Sequence, residues 1–195
     1  MIAIVDYGAG NISSVSKAFE HLGATAEVTS DPAVIGKAEK LVVPGVGHFS
    51  RCESLNTRLR KPVLDAISAG KPFLGICVGM QWLFDGSTES PETPGAGLFP
   101  GQCSRFPAEV KSPHVGWNQV EVRSGARLLR GIESGAFVYY THSYRAPVVA
   151  QTVARTEYGG VFSGAVEREN IFGVQFHPEK SSTAGLRILE NFCEL

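Results

Sequence analysis

The segment from Lys71 to Phe84, KPFLGICVGMQWLF, constrains the fold more than any other part of the chain. An apolar run from Phe73 to Ile76 reads as a strand, enters Gly75-Ile76-Cys77-Val78-Gly79, and passes at once into an amphipathic helical stretch. This G-x-C-x-G pattern has the logic of the G-x-S-x-G nucleophile elbow, a turn so tight that small residues must flank the nucleophile on both sides. The helix N-terminus beside the sulfur, with its partial positive charge and free N–H groups, favours the reactive thiolate. The alternative at Cys77 is a small buried cysteine packed among glycines.

The rest of the pattern agrees with a layered α/β domain. Ile2 to Asp6 is an apolar strand, and Asn11 to Leu22 carries Val15, Ala18, Phe19 and Leu22 at helical spacing. Ala24 to Thr29, Leu41 to Val43 and Phe73 to Ile76 follow as near-continuously apolar strands, as buried parallel strands should be. Phe49 to Ala69 is predicted helical, with Pro62 where a second helix can begin and Gly70 at its end. Ser87 to Gly101 is rich in Ser, Thr, Pro and Gly and reads as an irregular excursion. Shorter β-like runs follow at Val120 to Val122, Phe137 to Thr141, Phe162 to Val166 and Ile171 to Phe176, and a helix is predicted near Thr183 to Cys193. The expectation is a single domain over residues 1–195, α/β, with a mainly parallel central sheet and added antiparallel strands.

Composition narrows the class of function. A chain of 195 residues with 43% hydrophobic residues can build a core without disulfides or a structural metal. Cys52, Cys77, Cys103 and Cys193 show no C-x-x-C pairing and no zinc-type spacing, so they read as reduced thiols and no metal is expected. Eighteen basic against nineteen acidic residues, with no cluster beyond Arg58 to Lys61, argue against nucleic acid as a partner. No leader-like or membrane-spanning apolar run is present, so the expectation is a soluble cytoplasmic protein with no membrane partner.

A thiol that attacks an amide needs a base, and the chain holds five histidines. His21 falls on a helix near its exposed end, His48 follows a glycine loop, and His114 and His142 neighbour aromatics as satisfied core groups would. His177 differs: it ends the apolar run IFGVQF and leads into Pro178-Glu179, so it projects from a strand end where α/β domains build sites. A carboxylate two residues on can accept from one ring nitrogen and fix the tautomer that turns the other toward the thiol. A solvated turn and a metal site built from Cys77, His177 and Glu179 are the competing readings of the same residues. Pro44-Gly45-Val46-Gly47 follows a strand and offers backbone N–H groups to an oxyanion, or is an ordinary glycine turn. Asp6-Tyr7-Gly8-Ala9-Gly10-Asn11 fails as a dinucleotide fingerprint because Ser13 stands where Gly or Ala is required, so no cofactor is expected.

In this order GICVGMQ, PGVG and HPEK resemble the class I (triad) glutamine amidotransferases, over nearly the whole chain. More narrowly, DYGAGN, PGVGHF, GICVGMQ, HVGWN, THSY and HPEKS are similar to the glutaminase subunits of imidazole glycerol phosphate synthases. Glutaminases serving anthranilate, aminodeoxychorismate or GMP synthesis usually carry G-x-x-G-H-Q after the nucleophile and a second Gly in the oxyanion loop, where this chain has Met80 and Val46. The resemblance implies a flavodoxin-like three-layer fold and a triad in which Cys77 attacks the glutamine side-chain amide, His177 moves protons and Glu179 orients His177. It implies oxyanion contacts from Val46, Gly47 and Val78, and a glutamine site formed by Gly45, Gln81, Glu89, Ser143 and Tyr144, the last two mainly through backbone.

The same resemblance implies a heterodimer with a (βα)8-barrel cyclase, ammonia passing to the partner in histidine biosynthesis, and an interface at Asn11, Trp117, Tyr139 and Lys180. The bland readings of those four are a helix cap, a core aromatic, a strand residue and a solvated charge. It further implies near-silence until the partner binds its nucleotide, through rearrangement of the PGVG backbone. A flipped peptide at Val46 would be strained, since Val is not Gly. Rival readings are a glutaminase feeding another synthase, a non-catalytic binding subunit, and a redox-sensing thiol protein.

Overall fold

A computed structural model describes residues 1–195. In chain order the elements are β1 (Ile2–Val5), α1 (Ile12–His21), β2 (Ala26–Thr29), α2 (Pro32–Lys37) and β3 (Lys40–Gly45), then a 3-10 turn at Phe49–Arg51, α3 (Cys52–Ser54), a π-helical turn at Leu55–Leu59 and α4 (Arg60–Ser68). There follow β4 (Phe73–Cys77), α5 (Val78–Gln81), β5 (Gly86–Ser87), β6 (Gln102–Arg105), β7 (His114–Val122), β8 (Ala136–His142), β9 (Tyr144–Arg145), β10 (Thr152–Glu157), β11 (Val161–Arg168) and β12 (Ile171–Val174). A 3-10 turn at Pro178–Lys180 leads into α6 (Ser182–Glu194).

One sheet of nine strands, ordered β2-β1-β3-β4-β12-β11-β10-β7-β8, runs through the molecule, and β5, β6 and β9 form a small second sheet. The strands from β2 to β12 pair in parallel, and those from β12 outward to β8 pair antiparallel. The parallel half is the expected one: β1, β3 and β4 are buried along almost their whole length. Strand β2 departs from the expectation. It lies at the sheet edge, and Glu27 and Val28 face solvent, so it need not be continuously apolar.

Core side chains pack on both faces of the sheet. Leu74 of β4 pairs with Phe172 of β12, and Phe172 meets Phe192 of α6, which in turn meets Phe19 of α1 with ring centroids 6.4 Å apart. Phe73, one residue earlier and hence on the other face, meets Trp82, whose indole N–H donates to Asn56 Oδ1 at 2.8 Å in the π-helical turn. The predicted helix over Phe49 to Ala69 is thus one broken run of 3-10, α, π and α turns. Pro62 stands in the first turn of α4, directly after the π-helical turn. No helix is long and apolar enough to cross a membrane.

Register brings the distant motifs together. Gly45 of β3 pairs with Cys77 of β4, and Val174 of β12 pairs with Ile76 of β4, so the PGVG loop and the chain from Gln175 to Glu179 both leave the sheet beside Cys77. This is the carboxyl end of the parallel strands, where open α/β sheets place their ligands.

Candidate active site

The elbow is built as its glycines require. Cys77 sits at φ +53°, ψ −107°, a backbone conformation that L-residues rarely adopt, and is buried at 2% exposure. A Cβ at Gly75 would lie 2.5 Å from the Gly79 carbonyl oxygen. A Cβ at Gly79 would overlap the Val43 carbonyl oxygen and lie 2.9 Å from its carbon. Both glycines therefore let α5 fold back against β4 and β3, and the turn thrusts the sulfur out at the helix N-terminus.

The base stands opposite. His177 Nδ1 is 2.8 Å from Glu179 Oε1, and the two side chains are 1% and 0% exposed. Two bonds hold the His177 backbone, its N–H donating to the Tyr139 carbonyl at 2.9 Å and its carbonyl accepting from Ser181 Oγ at 2.7 Å, and the Tyr139 N–H donates to Ser181 Oγ at 2.9 Å in turn. The other ring nitrogen, Nε2, is buried without a hydrogen-bond partner on the side of Cys77. Burial pushes the imidazole toward its neutral form, but the charge on Cys77 and the Glu179 carboxylate outweigh it and raise the ring to about 10. The ring thus faces Glu179 with one nitrogen and the Cys77 side with the other, the arrangement in which a histidine takes a thiol's proton and hands it on to a leaving group.

A cleft of about 270 Å³ opens beside the sulfur. Its size suits one small molecule, just below the roughly 300–1,000 Å³ usual for drug-sized ligands. Gly47, Val78, Gln81, Glu89, Ser143 and Tyr144 line it together with Cys77, and Gly45 and Val46 do not. Val78 opens α5, so its N–H belongs to the helical turn that has no intrahelical partner. Gly47 takes the left-handed φ of +99°. Gly45 is packed behind the elbow, where a Cβ would come within 2.6 Å of the Tyr7 hydroxyl. Glu89 closes one wall and accepts from the Phe49 N–H at 2.8 Å, and Gln81 Nε2 donates to the Tyr144 carbonyl at 2.7 Å. A larger hollow of about 430 Å³ on the antiparallel half, lined by Asn118, Glu121 and Arg155 among others, has no cysteine or histidine in its lining.

Pro113, Thr141 and His142 also line the cleft, and Gln175 reaches the sulfur from beneath it. Sequence reading missed these as site residues. HVGWN and THSY drew attention to the two segments, but only the pairing of His114 with His142 across β7 and β8 turns them toward Cys77.

Those two histidines are buried and satisfied, as their aromatic neighbours suggested. His114 stacks on Tyr158 with centroids 4.0 Å apart. His142 Nδ1 must donate to the Tyr144 carbonyl at 2.8 Å, so its Nε2 accepts from His114 Nδ1 at 3.3 Å, and His114 Nε2 accepts from Asn118 at 3.4 Å. Burial lowers His114 to about 4 and His142 to about 3. Groups depressed below the unfolded value of about 6.5 contribute stability that is present above pH 6.5 and lost as pH falls toward 4. His177, raised, is protonated in both states below pH 6.5 and adds no slope in that window. Urea unfolding at pH 7, 6, 5 and 4 is therefore expected to lose on the order of several kcal/mol, at about 1.4 kcal/mol per pH unit per group. Replacing His114 with Phe reduces that slope.

The four interface candidates cluster around the base. Trp117, 52% exposed and so no core aromatic, packs edge-on to Tyr139 with centroids 6.0 Å apart, and Lys180 Nζ lies 5.8 Å from the Tyr139 ring. Asn11 holds the N-cap position of α1 but caps nothing. Its amide instead reaches Glu179 Oε1 at 3.4 Å.

The model of the family described as glutamine amidotransferase class-I matches residues 3–195. The chain belongs to this family. Among curated relatives of the amidotransferase, imidazole glycerol phosphate synthase subunit HisH of Thermococcus kodakarensis is 50% identical over 201 residues, covering all of both chains. The subunits of the same name from Archaeoglobus fulgidus and Methanothermobacter thermautotrophicus are 49% and 48% identical, each covering all of this chain and 98% of the relative. Among solved structures, a glutamine amidotransferase superposes with a TM-score of 0.78 at 20% identity, over 100% of this chain and 98% of the other. PurLQS from Thermotoga maritima superposes with a TM-score of 0.75 at 18% identity, over 99% and 97%. These two establish the fold of the class I glutamine amidotransferases.

Proposed function

We propose that residues 1–195 act as one glutaminase domain, the subunit of an imidazole glycerol phosphate synthase that hydrolyses glutamine and hands ammonia to a (βα)8-barrel cyclase. The observation that carries the catalytic part is the buried Cys77, His177 and Glu179 constellation opening on a cleft sized for one small molecule. Full-length relatives at 48–50% identity carry the synthase assignment. Cys77 attacks the side-chain amide carbon, the carbonyl electron pair moves to oxygen, and N–H groups of the Val78 turn and the Val46-Gly47 loop face that charge. His177 protonates the departing nitrogen, and water taken up with His177 as base cleaves the γ-glutamyl thioester to glutamate. Gln81, Glu89, Ser143 and Tyr144 hold the amino acid, with Gly45 supporting the loop.

The cyclase docks on the face of Asn11, Trp117, Tyr139 and Lys180. Two of those residues touch the site directly: the Asn11 side chain bonds Glu179, and the Tyr139 main chain accepts from the His177 N–H and donates to Ser181 Oγ. Docking can therefore bias the base and the loop opposite it. The test is glutamate release by the chain alone, with the cyclase, and with the cyclase plus its ribonucleotide. Release that rises steeply only in the last mixture agrees with this assignment. Equal release in all three would refute the coupling, and release dependent on another synthase would redirect the partner.

A further inference from the structure

Gln175 lies under the cleft, fully buried, with no place in the triad. Groups that can act in one way only dictate how its amide is turned. The Ala146 backbone N–H can only donate, and it faces Gln175 Oε1 at 3.4 Å. Gln81 Nε2, itself fixed by donation to the Tyr144 carbonyl, donates to the same Oε1 at 3.2 Å. The NH2 group is thereby turned the other way, and Nε2 stands 3.7 Å from the Cys77 sulfur. A thiol is a weak acceptor, but a thiolate carries a full charge, and a fixed donor to a charge counts most where water is excluded.

We propose that Gln175 is a further catalytic residue, whose side-chain N–H donates to the Cys77 thiolate and holds the sulfur in its anionic form. This rests on the assignment of Cys77 as nucleophile. The donor acts before the bond forms. As the sulfur lone pair makes the C–S bond, the carbonyl π pair passes to oxygen and the sulfur loses the charge that the N–H was facing. The gain is in the thiolate population, against a smaller loss of intrinsic nucleophilicity. With a Brønsted coefficient of about 0.4–0.5, a tenfold rise in thiolate gives roughly threefold faster attack. The other titratable groups facing the sulfur are His177, backed by Glu179, Glu89 and His142 of the cleft wall, Tyr7 from the loop after β1 and the buried Cys103.

The test is the rate of iodoacetamide alkylation of the full chain from pH 5 to 10, in a Cys193→Ser background that removes the half-buried fourth thiol. It needs neither glutamine nor a partner. Gln175→Glu keeps an oxygen for Ala146 and Gln81 but turns the sulfur-facing group from donor to acceptor. Gln175→Met removes both functions at similar length. The Glu variant is expected to move the alkylation midpoint up by a pH unit or more, with alkylation roughly threefold slower at pH 7, and the Met variant to move it up by less. In the assembled synthase kcat falls and KM holds. A role confined to packing would lower the melting temperature and leave the midpoint in place, so profiles superimposing on the parent overturn the proposal. Loss of the fold in both variants overturns it as well. Alkylation unaffected by Cys77→Ser would instead sink the nucleophile assignment and this inference with it.

Discussion

Cys77→Ala lowers glutamate release by the assembled synthase on the order of 10⁴–10⁶-fold while leaving the chain folded. The covalent route needs the sulfur, and what survives is positioning in the cleft and whatever the backbone amides do for a water attack. Folding survives because Ala removes one atom from a residue whose unusual φ of +53° is imposed by its neighbours. The same geometry predicts that Cys77→Gly, equally inactive, gains about 1 kcal/mol by relieving that strain. A second readout is His177. Cys77 is the foremost of the influences that raise its imidazole, so in Cys77→Ala the ring is expected to titrate lower, visible in its NMR shifts. Turnover within tenfold of the parent would remove Cys77 from the mechanism.

Gly79→Ala is expected to cost 3 kcal/mol or more and to abolish activity with it. The new methyl would collide with the carbonyl of Val43, a main-chain group of β3 that no rotamer change can move aside. Strand β3 and helix α5 would have to part, and with them the alignment of the glycine loop and the nucleophile. Gly36→Ala in α2 is the control. Nothing lies within 4 Å of its Cβ position, so it is neutral or stabilising by up to about 1 kcal/mol. Urea unfolding of the two variants side by side separates a crowding effect from a general cost of losing glycine.

Gly79, Cys77, His177 and Glu179 were legible in the chain because the chemistry restricts their spacing: an elbow demands its glycines, and a base with its carboxylate fits one short turn. The parallel strands were legible because burial on both sides leaves little but apolar residues, as in β1, β3 and β4. Where burial is partial the signal fades. Strand β10, TVARTE, holds only two apolar residues and no alternation, α2 is six residues long, and β5 and β9 span two residues each. Gln175 was hidden for a different reason. It sits in IFGVQF, which reads as a strand, and the face on which a polar residue of a strand end emerges is set by the partner register and not by its neighbours in sequence. The fit of Gln81, Glu89, Ser143 and Tyr144 to one cleft followed from the family resemblance, since no local pattern connects segments so far apart.

The pairing of β4 with β12 also governs how the chain comes to life as it folds. Cys77 and Gln175 are 98 residues apart, and their meeting closes a loop whose entropy costs about 4 kcal/mol before any contact repays it. None of the strands from β5 to β11 pairs with β4; they lie in the small second sheet or on the antiparallel side. A long-range junction of this kind forms slowly, and an incompletely folded chain has the sulfur on one fragment and its proton carrier on another. Thiol reactivity is therefore an all-or-none report on maturation: a nascent or damaged chain holds an ordinary, sluggish cysteine and cannot squander glutamine.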